Sequence, residues 1–210
     1  LDYTTLIGAK TLDGSIRNWL NDSTLPATTI LDMAESYIYR RLRVREMQKF
    51  ATGSTVVGDA TIALPTDYLT PLRFMFTGTE KTEIKHLEIG DVMMRLNYDW
   101  NGDLVPTKPQ YFAAMGTTIQ FDAPADQVYP YQLLYFAQPA SLSPSNATNF
   151  LTTRSPRLVM AACCMLASEF DKDDKEKQWW LAIADNELQQ LNREFDQERG
   201  RNLHLAVRAE

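Results

Sequence analysis

Cysteine and histidine are scarce in this sequence, with two of each among 210 residues. Two cysteines make neither a disulfide framework nor a four-thiolate zinc site. His86 and His204 lie far apart, and neither belongs to an HxxxH or HxxEH pattern, so metal-ligand and catalytic signatures are missing at both. The GxSxG elbow, the Walker A loop and GxGxxG are missing as well, which removes the usual signals of hydrolase, nucleotide-binding and dinucleotide-binding chemistry. No cofactor is implied. No stretch approaches the roughly 18 consecutive apolar residues of a membrane-spanning helix. The opening LDYTTLIGAK has no basic start followed by an apolar run. The expectation is a soluble protein made in a cytoplasm, with no membrane partner. Cations are the minority, 21 against 27 carboxylates, for a formal charge of −6. An acidic chain has no net attraction to phosphate backbones, so any nucleic-acid contact needs a local patch.

What is present is enough apolar material, 44% of the residues, for one generous domain or a domain with an insertion. In GSIRNWL, Ile16, Trp19 and Leu20 share one helical face, and Asn21-Asp22-Ser23 ends the segment. A second helix is predicted with Thr24 as its cap and Pro26 in its first turn. Its apolar stripe is Ile30, Met33, Ala34, Tyr37, Ile38 and Leu42. From about Met47 to Phe136 the period changes to two. STVVGDATIAL suggests a hairpin around Gly58-Asp59, PLRFMFTG a strand with Leu72, Phe74 and Phe76 on one side, and QYFAAMGTTIQFDAP two strands about Gly116. YPYQLLYFAQP is a further strand, HLEIGDVMMRLNYD holds a short helix, and DWNGD is a turn. Ser155-Pro156 then opens a helix that is apolar on nearly all faces from Leu158 to Phe170, which predicts burial on most sides. After the charged turn DKDDKEK, a long helix carries Trp180, Ala184, Leu188, Leu191 and Phe195 as its stripe, with Gly200 as the expected stop.

The fold class that follows is α+β, a helical bundle formed by the N- and C-terminal helices with an inserted, mostly antiparallel β section. Residues 1–46 and 153–200 would form the bundle, 47–140 the β-rich insertion, 141–152 a connector and 201–210 a C-terminal tail. Cys163-Cys164, inside RSPRLVMAACCMLASEF, is not a CxxC motif, and neighbouring helical residues point about 100° apart. Core filler is the expectation. Asp173-Asp174 lies in a charged turn where solvation accounts for it, and of the adjacent Trp179 and Trp180 one belongs to the core and the other to a contact. The densest basic feature is Arg40, Arg41, Arg43 and Arg45. These complement a helix C-terminus or meet an acidic partner or DNA backbone.

The order of four stretches resembles the head-tail adaptor (connector) proteins of tailed bacteriophages. They are ILDMAESYIYRRLRVREM, IALPTDYLTPLRF, the section from KPQYFAAMGTTIQFDAPAD to LLYFAQPASLS, and NFLTTRSPRLVMAACCMLASEFDKDDKEKQWW. The resemblance implies a non-enzymatic virion protein that forms a homo-oligomeric ring, commonly twelvefold, beneath the portal protein. It sits in the neck between capsid and tail, is assembled in the host cytoplasm, extends the DNA channel and carries tail or nozzle proteins. Genomic DNA would pass through without sequence-specific binding, since an acidic wall does not grip it. The arginine cluster would then face an acidic portal or tail surface. Leu203, Leu205 and Val207, alternating with polar residues, would form an extended contact with the portal or a frayed tail. Another neck or tail structural protein, and a small enzyme with an unrecognised site, are the competing readings.

Overall fold

A computed structural model describes the backbone of residues 1–78 and 80–207 and the side chains of those residues up to 198. The fold is α+β. The N- and C-terminal helices pack together, and a curled, mostly antiparallel sheet is inserted between them in the chain. Two compact units result, one of 1–46 with 139–210 and one of 47–138.

In the helical unit, short helices α1 (Tyr3–Leu6) and α2 (Ile16–Trp19) precede α3 (Ala27–Arg41). Asp2 and Ser15 cap the first two through their side chains. Thr24 does not cap α3. Its hydroxyl and N–H bind the Asp22 carboxylate instead, and Pro26 takes the cap position without a side-chain bond. The buried face of α3 is also turned from the predicted stripe. Ile30, Leu31, Ala34, Glu35, Ile38 and Tyr39 are buried and Met33 is exposed. Two rows at i, i+4 spacing, 30-34-38 and 31-35-39, make this face. A polar residue at 35 hides the second row from a count of apolar positions.

Helix α5 (Phe150–Arg154) starts on a reciprocal capping box between Asn149 and Thr152, inside the segment expected to be a connector. Helix α6 (Pro156–Phe170) follows with proline at its first position. It packs against α2, α3, α5 and α7 (Asp174–Val207), so nearly every face from Leu158 to Ser168 meets protein, while Pro156, Arg157, Glu169 and Phe170 at its two ends are exposed. That position explains a helix apolar all round, and Cys163 and Cys164 are fully buried free thiols within it. Truncating one such residue, Leu158→Ala for example, costs about 2–5 kcal/mol by the usual measure of core cavities. The carboxylate of Asp173 accepts from the N–H groups of Lys175 and Glu176 at the start of α7, so one of the two turn aspartates is a cap and not merely solvated. Helix α7 does not stop at Gly200 but continues to Val207. A glycine costs a helix about 1 kcal/mol, a penalty that the rest of a long helix absorbs.

The β unit has strands β1 (Gln48–Ser54), β2 (Thr61–Ala63), β3 (Tyr68–Phe76), β4 (Thr82–His86), β5 (Tyr111–Met115), β6 (Thr118–Phe121) and β7 (Pro130–Ala137) in the order β1-β7-β3-β4-β5-β6-β2. Only β4 and β5 run parallel, and helix α4 (Ile89–Met93) lies in their connection. The expected hairpin at Gly58-Asp59 does not form. β1 pairs with β7 and β2 with β6, while Val57 makes a lone parallel bridge to Ala125. The β5–β6 hairpin about Gly116 is present. Phe74, Phe76, Phe112 and Phe121 are buried at the centre of this unit's core, with the Phe74 ring 5.2 Å from Phe112 and 5.6 Å from Phe121. These are the distances at which aromatic pairs add about 0.5–1.5 kcal/mol beyond their burial. Leu72, predicted to join this face, is only half-buried.

Candidate partner-binding surface

The arginine cluster at the end of α3 divides on inspection of its partners. Arg41 donates to Asp185 of α7 at 3.0 Å and to the Tyr37 hydroxyl at 2.6 Å, and its guanidinium lies 4.3 Å from the Tyr37 ring centre. Tyr37 in turn donates to the same Asp185 oxygen at 2.7 Å. Burial first, and then the acceptor Asp185, raise the Tyr37 phenol to about 12, so it remains a donor at any physiological pH. Arg43 is held along its length. Its N–H donates to the Asn192 side chain at 2.9 Å, and its guanidinium to the carbonyls of Tyr39 and Leu42. Arg45 reaches Glu198 at 3.9 Å. Beside it, Arg154 binds Glu46, and Glu194 at 3.3 Å, and these carboxylates hold its pKa above the ordinary arginine value.

Three of the four arginines therefore tie α3 and the short 3-10 turn after it (Arg45–Met47) to α7. Their α7 partners Asp185 and Asn192 are seven positions apart, two turns on one face beside the apolar stripe. That spacing was the available signal for them. Arg40 differs. It is exposed and has no ion pair or hydrogen bond among the described residues. It lines a shallow groove of about 510 Å³ with Thr29, Asp32, Met33, Ser36 and Leu166. An exposed Met33 among these polar side chains suits a protein contact.

Leu203, Leu205 and Val207 have helical backbone, not the extended backbone expected of alternation. On a helix, positions 203 and 207 are one turn apart and 205 falls on another side. Their side chains, that of His204 and residues 208–210 lie outside the described residues.

Other chemistry finds no support in the geometry. Burial pushes the Cys163 thiol well above its ordinary value, with Cys164 adding to it, and burial raises Cys164 to about 12. Thiols so protonated are poor nucleophiles and poor ligands. His86 is exposed on β4, its ring 5.1 Å from Phe112. Among the described residues no group of three or more His, Cys, Asp or Glu side chains could hold a metal ion, and no helix is long and apolar enough to cross a membrane.

Comparison with known proteins adds one finding. A family profile described as SU10 adaptor protein matches residues 8–208. No curated protein matches the chain.

Proposed function

Since the chain belongs to the SU10 adaptor family, structural and non-catalytic head-tail adaptors of the tailed-phage neck that join portal and tail components, we propose that its copies close into a twelvefold ring. The ring docks on the portal, continues the DNA channel and bears the tail or nozzle proteins. One observation carries the channel role: three of the four arginines at the end of α3 are spent, Arg41 and Arg45 on α7 carboxylates and Arg43 on the carbonyls of Tyr39 and Leu42. The unit thus offers no concentrated free cation patch there, and the chain is acidic overall. A wall of that character binds few phosphates and lets the duplex slide. Copies packed head to tail around an axis bury one surface against a different one, a heterologous contact that closes when its rotation is cyclic.

Within this assignment Arg40 contacts an acidic surface of the portal or tail, together with the groove beside it, and the C-terminal end of α7 that carries positions 203, 205 and 207 contributes a helical contact to the portal. Arg41, Arg43 and Arg45 act indirectly by fixing α3. The test is to mix the protein with the portal of the same phage and image the particles, with a closed ring beneath the portal as the expected result. Arg40→Glu should lower the affinity about tenfold, equivalent to about 1.4 kcal/mol, while leaving the melting temperature unchanged. Single copies scattered on the portal, or binding to the tail tube alone, would rule the assignment out.

A further inference from the structure

Away from the arginines, the helical unit carries a second concave surface, a cleft of about 420 Å³ whose walls are mostly apolar. Trp19 and Trp179, 53% and 58% exposed, both contact the ring of the buried Trp180. The Trp180 ring meets Trp19 edge-on at 5.7 Å and Trp179 edge-on at 4.4 Å. Met160 and Ile183 also line the cleft, and Arg157 is at its rim. Arg157 spends one contact on Glu187, Nη1 to Oε1 at 3.3 Å, and its side chain is otherwise largely in solvent. A guanidinium has five N–H donors, so several remain for an acidic partner.

The β unit carries a counterpart. Trp100 is 93% exposed and Met94 88%. Trp100 sits at the tip of a tight loop closed by the Tyr98–Leu104 bridge. Asp99 holds the loop: its carboxylate accepts from the N–H groups of Asn101 at 2.8 Å and Asp103 at 2.9 Å, and its own N–H donates to the Asp103 carbonyl at 2.8 Å. Gly102 supplies the left-handed turn with φ of 86°. The indole is thus presented to solvent on a hydrogen-bonded loop, which leaves less backbone entropy to be lost on contact. From Asn97 to Leu104 the loop contains two carboxylates, Asp99 and Asp103, and no cation.

We propose, on the footing that copies close into a ring, that the tryptophan cleft of one copy receives Trp100 of its neighbour. A heterologous contact needs two different, complementary patches on the same chain, one given and one received at each interface. Here one patch is convex, aromatic and acidic at its base, and the other is concave, aromatic and basic at its rim. An added indole joins Trp19 and Trp179 at the edge-on or offset geometries that aromatic rings prefer, and Asp103 comes to the spare donors of Arg157. A cleft within the 300–1,000 Å³ range typical of binding pockets, about 420 Å³ here, admits an indole. One tryptophan buries about 150–250 Å², against about 1,200–2,000 Å² in a stable interface. Trp100 is therefore the anchor of a wider contact, the role in which tryptophan is enriched.

The first test, by cross-linking, keeps all the tryptophans. Asn101→Cys places a thiol beside Trp100, and Asp13→Cys places one at the cleft rim beside Gly14, while the native Cys163 and Cys164 are fully buried and unreactive. The two single variants are mixed in the presence of portal with a short bis-maleimide. The expected result is a cross-linked pair in the mixture, none with either variant alone, and a ladder of oligomers from the double variant. Trp100→Ala should reduce ring yield at least tenfold without changing the melting temperature. Rings seen by electron microscopy with no cross-link in the mixture would overturn this contact and leave the ring standing. Cross-linking of either variant to itself would also overturn it, by showing a two-fold contact. Neither rings nor cross-links would overturn both.

Discussion

Glu35 is 3% exposed, yet its carboxylate accepts from the Leu142 N–H at 3.0 Å and the Tyr39 hydroxyl at 3.3 Å, with the Asn149 amide at 3.5 Å. It joins α3 to the segment that returns from the β unit, satisfying a buried backbone donor that would otherwise be orphaned. Burial outweighs these hydrogen bonds and raises its pKa. A carboxyl whose folded pKa exceeds its unfolded one contributes stability that is full below the unfolded value and is lost as pH rises through the folded value. Glu35→Gln, a permanent mimic of the neutral form, should therefore match the parent in acid and become progressively more stable than it as pH rises. Urea melts of both proteins across pH 4–8 measure this, and a constant difference would refute it. Glu35→Leu leaves the Leu142 N–H without an acceptor and should be less stable than Glu35→Gln by about 1–3 kcal/mol. At this scale the cysteine pair was legible, because an unbroken apolar run fixes burial. The exchange of Met33 for Glu35 on the inner face of α3 was not, because the acceptor at 35 is needed by Leu142, distant in sequence.

Elements whose signals are local could be read directly. Alternation on both sides of Gly116 gave β5 and β6, and the residue has a φ of 59° with no atom within 4 Å of an added Cβ. Conformation and not space restricts it. Gly116→Ala should cost about 1–2 kcal/mol, and Gly116→Asn less, since asparagine visits this region more readily. Thermal melts compare the two, and equal losses would show that some contact and not φ sets the cost. The same glycine signal failed at Gly58, φ 79°, where a turn is present but the strands on its two sides pair with β7 and β6. A turn residue specifies the local bend, whereas the partner of each strand is chosen by burial across the whole sheet. Gly200 failed for the opposite reason, a local penalty too small to end a helix of 34 residues.

At the scale of the molecule, β1 and β7 lie side by side with Gln48 opposite Phe136, so the chain enters and leaves the β unit on neighbouring strands. Among the described residues, the core cluster of that unit, Phe74 to Ala137, is made of the unit's own side chains. Residues 47–138 expressed alone should fold, with a β-type far-UV spectrum and a cooperative melt; a featureless melt would show that the core needs the helices. By itself the sequence determined the α+β class, the buried character of α6, the amphipathic stripe of α7 and the acidic balance that disfavours gripping DNA. All of these depend on periodicity and composition, which are properties of nearby residues. Only the tertiary structure decided which arginines are spent internally, which tryptophan of the 179–180 pair is buried, and that Trp100 stands out on a hydrogen-bonded loop tip. Those outcomes depend on partners far away along the chain, and a side chain is free or engaged only once the fold has brought its neighbours to it.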